Sequence, residues 1–231
     1  MDLFSVMGKI IVITGTSRGI GKAIADGFTS QGAEVIRVSR NSEYKCDLNN
    51  EKDIQELVPK ILQQHGHIDV LVNNAGISVD DSYVLESWHH CMKVNLDAVF
   101  LLSKLVADSM KSRGGSIINI TSIGSKLAFP KNPAYQVSKA AVGQLTRSMA
   151  YDYACFGIRV NNLCPGYFLT NMTEKSYFGE PRKKREDRTM LGRWGEPSEL
   201  VGPCIFLASD ASSYVTGSEI CVDGGWTSKG L

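Results

Sequence analysis

No stretch of this chain approaches the ~20 consecutive apolar residues that a bilayer-spanning helix needs, so a helical membrane protein is excluded at the outset. Charge of one sign is not in excess either. Lys and Arg number 25 against 24 Asp and Glu, a formal net of +1, and no global field favours nucleic acid or an anionic membrane as a partner. Six cysteines (Cys46, Cys91, Cys155, Cys164, Cys204 and Cys221) form no C-x-x-C pair, and no histidine stands at metal-ligand spacing. No metal is expected, and the thiols read as reduced and buried in a cytoplasmic protein. The opening, Met1 to Lys9, is too short and too polar for a secretory signal. Repeats, low-complexity tracts and linkers are missing too. With 231 residues, 43% of them hydrophobic, the chain suits one domain over residues 1–231.

What is present is an alternation of short β-branched runs with longer amphipathic stretches, the pattern of a parallel sheet covered by helices on both faces. Strands are expected at Ile10 to Thr14, Glu34 to Ser39, Val70 to Asn73, Ser116 to Thr121, Arg159 to Cys164 and Glu219 to Val222. Helices are expected at Gly19 to Gln31, Glu51 to Gln64, Trp88 to Arg113, Ala134 to Phe156 and Pro197 to Ser209. Phe168 to Trp194 breaks the pattern. It is polar, carries Arg182-Lys183-Lys184-Arg185, and reads either as a mobile lid or as a solvated excursion.

Two motifs carry chemistry. Thr14-Gly15-Thr16-Ser17-Arg18-Gly19-Ile20-Gly21 follows the first strand and opens the first helix. Glycines there permit a tight turn and close approach of backbone, while the helix N-terminus offers free N–H groups to a pyrophosphate. Further on, Tyr135 and Lys139 stand four residues apart on one face of a helix, with Ser122 upstream. An unperturbed phenol has a pKa of about 10, so one working near neutral pH needs a cationic neighbour such as Lys139.

The order T-G-x-x-x-G-x-G, Asn73-Asn74-Ala75-Gly76, Asn95, Ser122, Tyr135-x-x-x-Lys139, Pro165-Gly166 and Val222-Asp223-Gly224-Gly225 resembles that of short-chain dehydrogenases/reductases over nearly the whole chain. The resemblance implies a Rossmann-type, doubly wound α/β sheet of about seven parallel strands, a nicotinamide cofactor, and interconversion of an alcohol and a carbonyl. By position it makes Tyr135 the acid/base and Ser122 the group that holds the substrate oxygen. Lys139 tunes the phenol and holds the nicotinamide ribose, and Asn95 anchors a proton relay. It gives the cofactor Gly15, Ser17, Arg18, Gly19, Ile20, Gly21, Asn74, Ala75, Gly76, Pro165, Gly166, Phe168 and Thr170, with Asp47 and Leu48 at the adenine and Tyr167 facing the substrate. Relatives are commonly homotetramers.

Cofactor choice turns on the end of the second strand. Ser39 stands where an acid would bond the ribose 2′-hydroxyl of NAD, and Arg40 follows, with Arg18 in the glycine loop. Two guanidiniums favour the 2′-phosphate, so NADP(H) is expected ahead of NAD(H). Only Asn41 to Cys46 separate Arg40 from Asp47, whereas a parallel crossover normally takes about a dozen residues or more. The third strand should therefore be vestigial and the adenine pocket open. For substrate, Pro165 to Thr170 and Leu191-Gly192-Arg193-Trp194-Gly195 resemble the gluconate 5-dehydrogenase branch, implying a small polar sugar acid or polyol. A 3-oxoacyl-carrier-protein reductase is the alternative. Arg113 matches one of its two basic docking positions, but Phe156 stands at the other. A third reading, a catalytically silent nucleotide sensor on the same fold, leaves the Asn95, Ser122, Tyr135 and Lys139 set without a purpose.

Overall fold

The computed structural model describes residues 2–79 and 83–230, so the outermost residues of the expected 1–231 domain lie outside the described residues. Seven parallel strands form one sheet in the order β3-β2-β1-β4-β5-β6-β7. They are β1 (Ile10–Thr14), β2 (Glu34–Ser39), β3 (Tyr44–Lys45), β4 (Val70–Asn73), β5 (Gly115–Ile120), β6 (Ile158–Pro165) and β7 (Glu219–Val222). The helices are α1 (Gly19–Ser30), α2 (Glu51–His65), α3 (Leu85–Met92), α4 (Ala98–Met110), α5 (Pro133–Tyr153), α6 (Glu174–Tyr177), α7 (Pro181–Arg188) and α8 (Val201–Ala208). This is the expected single Rossmann-type α/β domain.

Both faces of the sheet are buried, which is why its central strands read as unbroken apolar runs. One core gathers Val12, Leu71, Ile117 and Val160 against Ile61, Leu102 and Met149 of α2, α4 and α5. The other sets Ile11, Ile13, Val72 and Leu163 against Ile24 and Phe28 of α1 and Leu207 of α8. Helix ends carry ordinary signals: Asn50 caps α2 by accepting from the Lys52 amide (3.1 Å), and Pro133 opens α5 where no intrahelical N–H is needed.

A polar ladder crosses the first core. Asn73, Asn119 and Asn162 are aligned neighbours on β4, β5 and β6 and are almost wholly buried. Asn73 Nδ2 donates to Ser103 Oγ of α4 and to Asn119 Oδ1, both at 2.8 Å. Asn119 Nδ2 donates to Thr146 Oγ1 of α5 (2.8 Å), which donates to Asn162 Oδ1 (2.6 Å). A buried amide is tolerated only when partnered, so this chain of bonds sets α4 and α5 against the strands in one register.

The second crossover is as short as the residue count requires. Val38 pairs with Tyr44 and Ser39 with Lys45, so β3 lies beside the very end of β2 and the chain needs to turn back by only a few residues. No helix is needed for that. Ser42 closes the loop, its Oγ accepting from the Ser39 amide at 2.8 Å. Tyr44 then ties β3 to α2 through Gln64 Oε1 (2.5 Å) and His65 Nε2 (2.7 Å).

Candidate active site

A cleft of about 380 Å³ opens at the C-terminal ends of the strands, over the point between β1 and β4 where the winding direction reverses. Its floor begins at the β1–α1 turn. Gly15 has φ +73°, and a Cβ there would come within 2.9 Å of Ala75 Cα, while one on Gly21 would meet Asn74 Nδ2 at 2.2 Å. These glycines let the turn lie directly on the β4 loop. Asn74 Nδ2 donates to the Thr14 carbonyl (2.9 Å), and Thr14 Oγ1 accepts from the Asn74 and Ala75 amides (both 3.1 Å). Arg18 precedes α1 without capping it through its side chain, so the first-turn N–H groups stay available to an anion.

The opposite wall holds Ser122, Tyr135 and Lys139. Ser122 follows β5, and its Oγ accepts from the Gly124 amide (3.1 Å), which leaves its own proton free to donate. Tyr135 sits in the first turn of α5, and Lys139, one turn on, is 3% exposed and donates to the Ile120 carbonyl at 2.8 Å. Burial holds the Lys139 ammonium down to about 8. Burial also raises the Tyr135 phenol, with Ser122 pulling the other way. The Lys139 nitrogen lies 5.9 Å from the centre of the Tyr135 ring.

Asn95 is brought to the same corner but behind the wall, wholly buried in a π turn (Lys93–Asp97) between α3 and α4. Its Oδ1 accepts from the Ile77 amide (2.8 Å), and its Nδ2 donates to the Ile77 carbonyl (2.9 Å) and to Ser138 Oγ (3.1 Å). The side chain thus clamps the loop after β4 onto α5. Periodicity reads Trp88 to Arg113 as one helix; the wider π turn within it carries no signal in the residue pattern.

The cleft brings together Ser122, Tyr135 and Lys139 with Gly15, Ser17, Arg18, Gly19, Ile20, Gly21, Arg40, Asp47, Leu48, Asn74, Ala75, Gly76, Pro165, Gly166 and Thr170. Two expected contacts lie elsewhere. The Phe168 side chain is 4% exposed in the second core, close enough to Gly195 that a Cβ there would lie 2.5 Å from its ring. Tyr167 does not line the cleft; its ring packs against Trp194 (5.0 Å) and Trp226 (4.9 Å). The cleft also takes in His90, Val94, Asn171 and Met172, which the motifs leave out because no spacing ties them to the glycine loop. At its outer end Arg18 and Arg40 are exposed, and neither makes an ion pair or a side-chain hydrogen bond among the described residues.

The family model described as enoyl-(acyl carrier protein) reductase matches residues 15–227. Gluconate 5-dehydrogenase of Gluconobacter oxydans is 39% identical over 249 aligned positions, covering 98% of this chain and 97% of that protein. The chain belongs to the short-chain dehydrogenase/reductase family. It is a nicotinamide-dependent oxidoreductase acting on CH–OH or C=O groups. The aligned length exceeds the 231 residues of this chain, so that relative carries residues this family member lacks. The 3-oxoacyl-[acyl-carrier-protein] reductase FabG of Thermotoga maritima is 40% identical over 243 positions, 94% of this chain and 97% of that one. A solved gluconate 5-dehydrogenase from Burkholderia cenocepacia, in complex with NADP and tartrate, superposes with a TM-score of 0.95 at 37% identity, covering 99% of each chain.

The residues present fit the family's dinucleotide. Glycine backbone lies where a Cβ would collide, the amides at the start of α1 can meet a pyrophosphate, and the cleft runs unbroken from Arg40 to Tyr135.

Proposed function

We propose that this protein is an NADP(H)-dependent oxidoreductase that interconverts a ketone and a secondary alcohol on a small polar sugar acid or polyol. The observation that carries the cofactor choice is the pair of unpartnered guanidiniums, Arg18 and Arg40, at the outer end of the cleft with Ser39 rather than an acid beside them. They would hold the 2′-phosphate, while the α1 amides take the pyrophosphate. A nicotinamide held in the cleft would supply or accept the hydride. Ser122 donates a hydrogen bond to the substrate oxygen and keeps its proton, while Tyr135 gives that oxygen a proton during reduction or removes one during oxidation. Lys139 binds the nicotinamide ribose and passes the proton on, with Asn95 anchoring the route to solvent. Residues 167–194 serve as the substrate lid, and the protein works in the cytoplasm as a homotetramer.

Similarity to gluconate 5-dehydrogenases supports the sugar-acid reading. The carrier-protein alternative is weaker, because Phe156 is half-exposed where a second basic docking residue would stand. Turnover of NADPH and NADH with keto-sugar acids, keto-polyols and a 3-oxoacyl thioester, followed by loss of reduced-nicotinamide absorbance, tests the reading. The expected outcome is fastest turnover of a keto-sugar acid with NADPH; preference for the thioester or for NADH would overturn it.

A further inference from the structure

Among the described residues, three buried nitrogen donors without an acceptor cluster around one ring: Arg185 Nη1, Trp194 Nε1 and Trp226 Nε1. The ring is Tyr167. The Arg185 guanidinium lies 4.6 Å from its centre and 5.7 Å from that of Trp194, and both indoles pack against the same phenol. Stacking engages the face of a guanidinium and leaves its in-plane N–H groups to find an acceptor. Buried donors are rarely left unmet, and this group contains no carboxylate to meet them. Three acids of this region are already engaged: Glu186 with Arg182 at 2.7 Å, Asp187 with Lys183, and Glu199 with Arg193 at 2.7 Å.

The cluster adjoins the reacting corner. Tyr167 follows Pro165-Gly166 of the cleft and packs edge-on against Phe129 (6.2 Å). Gln136, next to Tyr135, holds Phe129 by both its amide and its carbonyl (2.8 Å each). Ile123, next to Ser122, packs in the same apolar group as Trp226 and Tyr167. Tyr167 is near enough to Tyr135 to contribute to the rise in its pKa.

We propose that Arg185, stacked on Tyr167 and Trp194, binds the carboxylate of a hydroxy-acid substrate and so determines specificity for charged over uncharged ketoses. This rests on the sugar-acid reading of the site. A planar guanidinium held by stacking presents two parallel N–H groups that match a carboxylate, which an ammonium cannot do. The two indole N–H groups add neutral donors, as suits a ligand carrying many oxygens.

The test uses the full-length protein with NADPH bound, with which gluconate forms a complex that cannot turn over, as wild type, Arg185→Lys and Arg185→Gln. Calorimetric titration with gluconate should show Arg185→Gln binding about tenfold more weakly or worse, with Arg185→Lys between it and wild type. NADPH affinity should stay within threefold, and kcat/KM should fall much less for an uncharged ketose than for a keto-sugar acid. Gluconate affinity within threefold of wild type in Arg185→Gln, an equal loss on the uncharged ketose, or no gluconate binding by wild type would each overturn the proposal. Wild type that binds gluconate through Arg185 without oxidising it would uphold the proposal and sink the sugar-acid reaction. Gluconate oxidised equally well by wild type and Arg185→Gln would do the reverse.

Discussion

At the catalytic end of the cleft, Asn95, Ser138 and Lys139 are buried and each side chain is bonded to another part of the fold. At the nucleotide end, Arg18, Arg40 and Asn41 are exposed, and the strand beside them is two residues long. The contrast shows where the fold commits its polar groups. A buried amide or ammonium without a partner is strongly destabilising, so the catalytic end is over-determined by hydrogen bonds. An exposed guanidinium costs little to leave unpaired in water, so the nucleotide end can wait for its ligand.

The largest effect should come from the catalytic end. Tyr135→Phe removes the only proposed proton donor while keeping the ring, and should lower kcat by a factor of at least ~10² with NADPH affinity nearly unchanged. Turnover within threefold of wild type would remove Tyr135 from the chemistry and leave the two ends alike in their tolerance.

Lys139 sharpens the comparison through pH. Burial holds its ammonium down to about 8, below the ordinary lysine value of about 10.4. A lysine depressed in the folded state opposes folding while charged, so its penalty is full below about pH 8 and fades as pH rises toward the unfolded value. Lys139→Met, which carries no charge, should therefore gain stability relative to wild type near pH 7. That advantage should shrink by roughly 1 kcal/mol per pH unit from about pH 8 to 10, within the limit that linkage sets. The buried thiols Cys46 and Cys204, whose raised pKa values run the other way, are common to both proteins and cancel. Urea unfolding of both across this range is the measurement. A constant difference would mean that Lys139 titrates in the fold as it does in the unfolded chain, its ammonium well hydrated rather than penalised by burial.

A smaller effect is expected at the nucleotide end. Ser39→Asp with Arg40→Leu removes one attraction for a 2′-phosphate and adds a repulsion, and should move the NADPH/NADH ratio of kcat/KM by about a factor of ten or more toward NADH. Because both positions reach solvent, the shift should narrow as salt is raised. A ratio that moves less than threefold at low salt would show that Arg40 plays no part in choosing the cofactor.

The same contrast decided what could be read in advance. Strands β1, β2, β4 and β7 have the bounds that the residue pattern gives them, and in β1 and β4 burial of every residue leaves little choice of register. The short β3 was legible as simple length: Asn41 to Cys46 cannot hold a crossover helix. The glycine loop, Ser122, Tyr135 and Lys139 carry spacing that the fold must respect. Illegible were features that depend on distant partners. The Asn73–Asn119–Asn162 ladder joins three strands far apart in the chain. The π turn at Asn95 adds a residue without changing composition, and Tyr167 turns toward Trp194 and Trp226, which lie well downstream. The sign of the Tyr135 shift depends on burial, which spacing alone does not reveal.

The smallest effect should come from the tether that replaces the missing crossover helix. Tyr44 is buried, and its hydroxyl bonds Gln64 (2.5 Å) and His65 (2.7 Å), while His65 Nδ1 reaches Glu34 Oε1 on β2 (2.5 Å). Tyr44→Phe keeps the apolar contact of the ring and deletes the hydroxyl, leaving partners that water can reach from the half-exposed side of α2. The loss should therefore be near the ~1 kcal/mol typical of one hydrogen bond, well short of the cost of orphaning a wholly buried group. Since β3 borders the adenine end and not the reacting carbon, NADPH affinity should weaken no more than threefold and kcat should not change. Urea unfolding and NADPH titration of the variant test both points. A loss above about 3 kcal/mol would mean that the edge strand is held by one network as tightly coupled as the catalytic end. A tenfold loss of NADPH affinity with unchanged stability would mean instead that the tether shapes the adenine pocket directly.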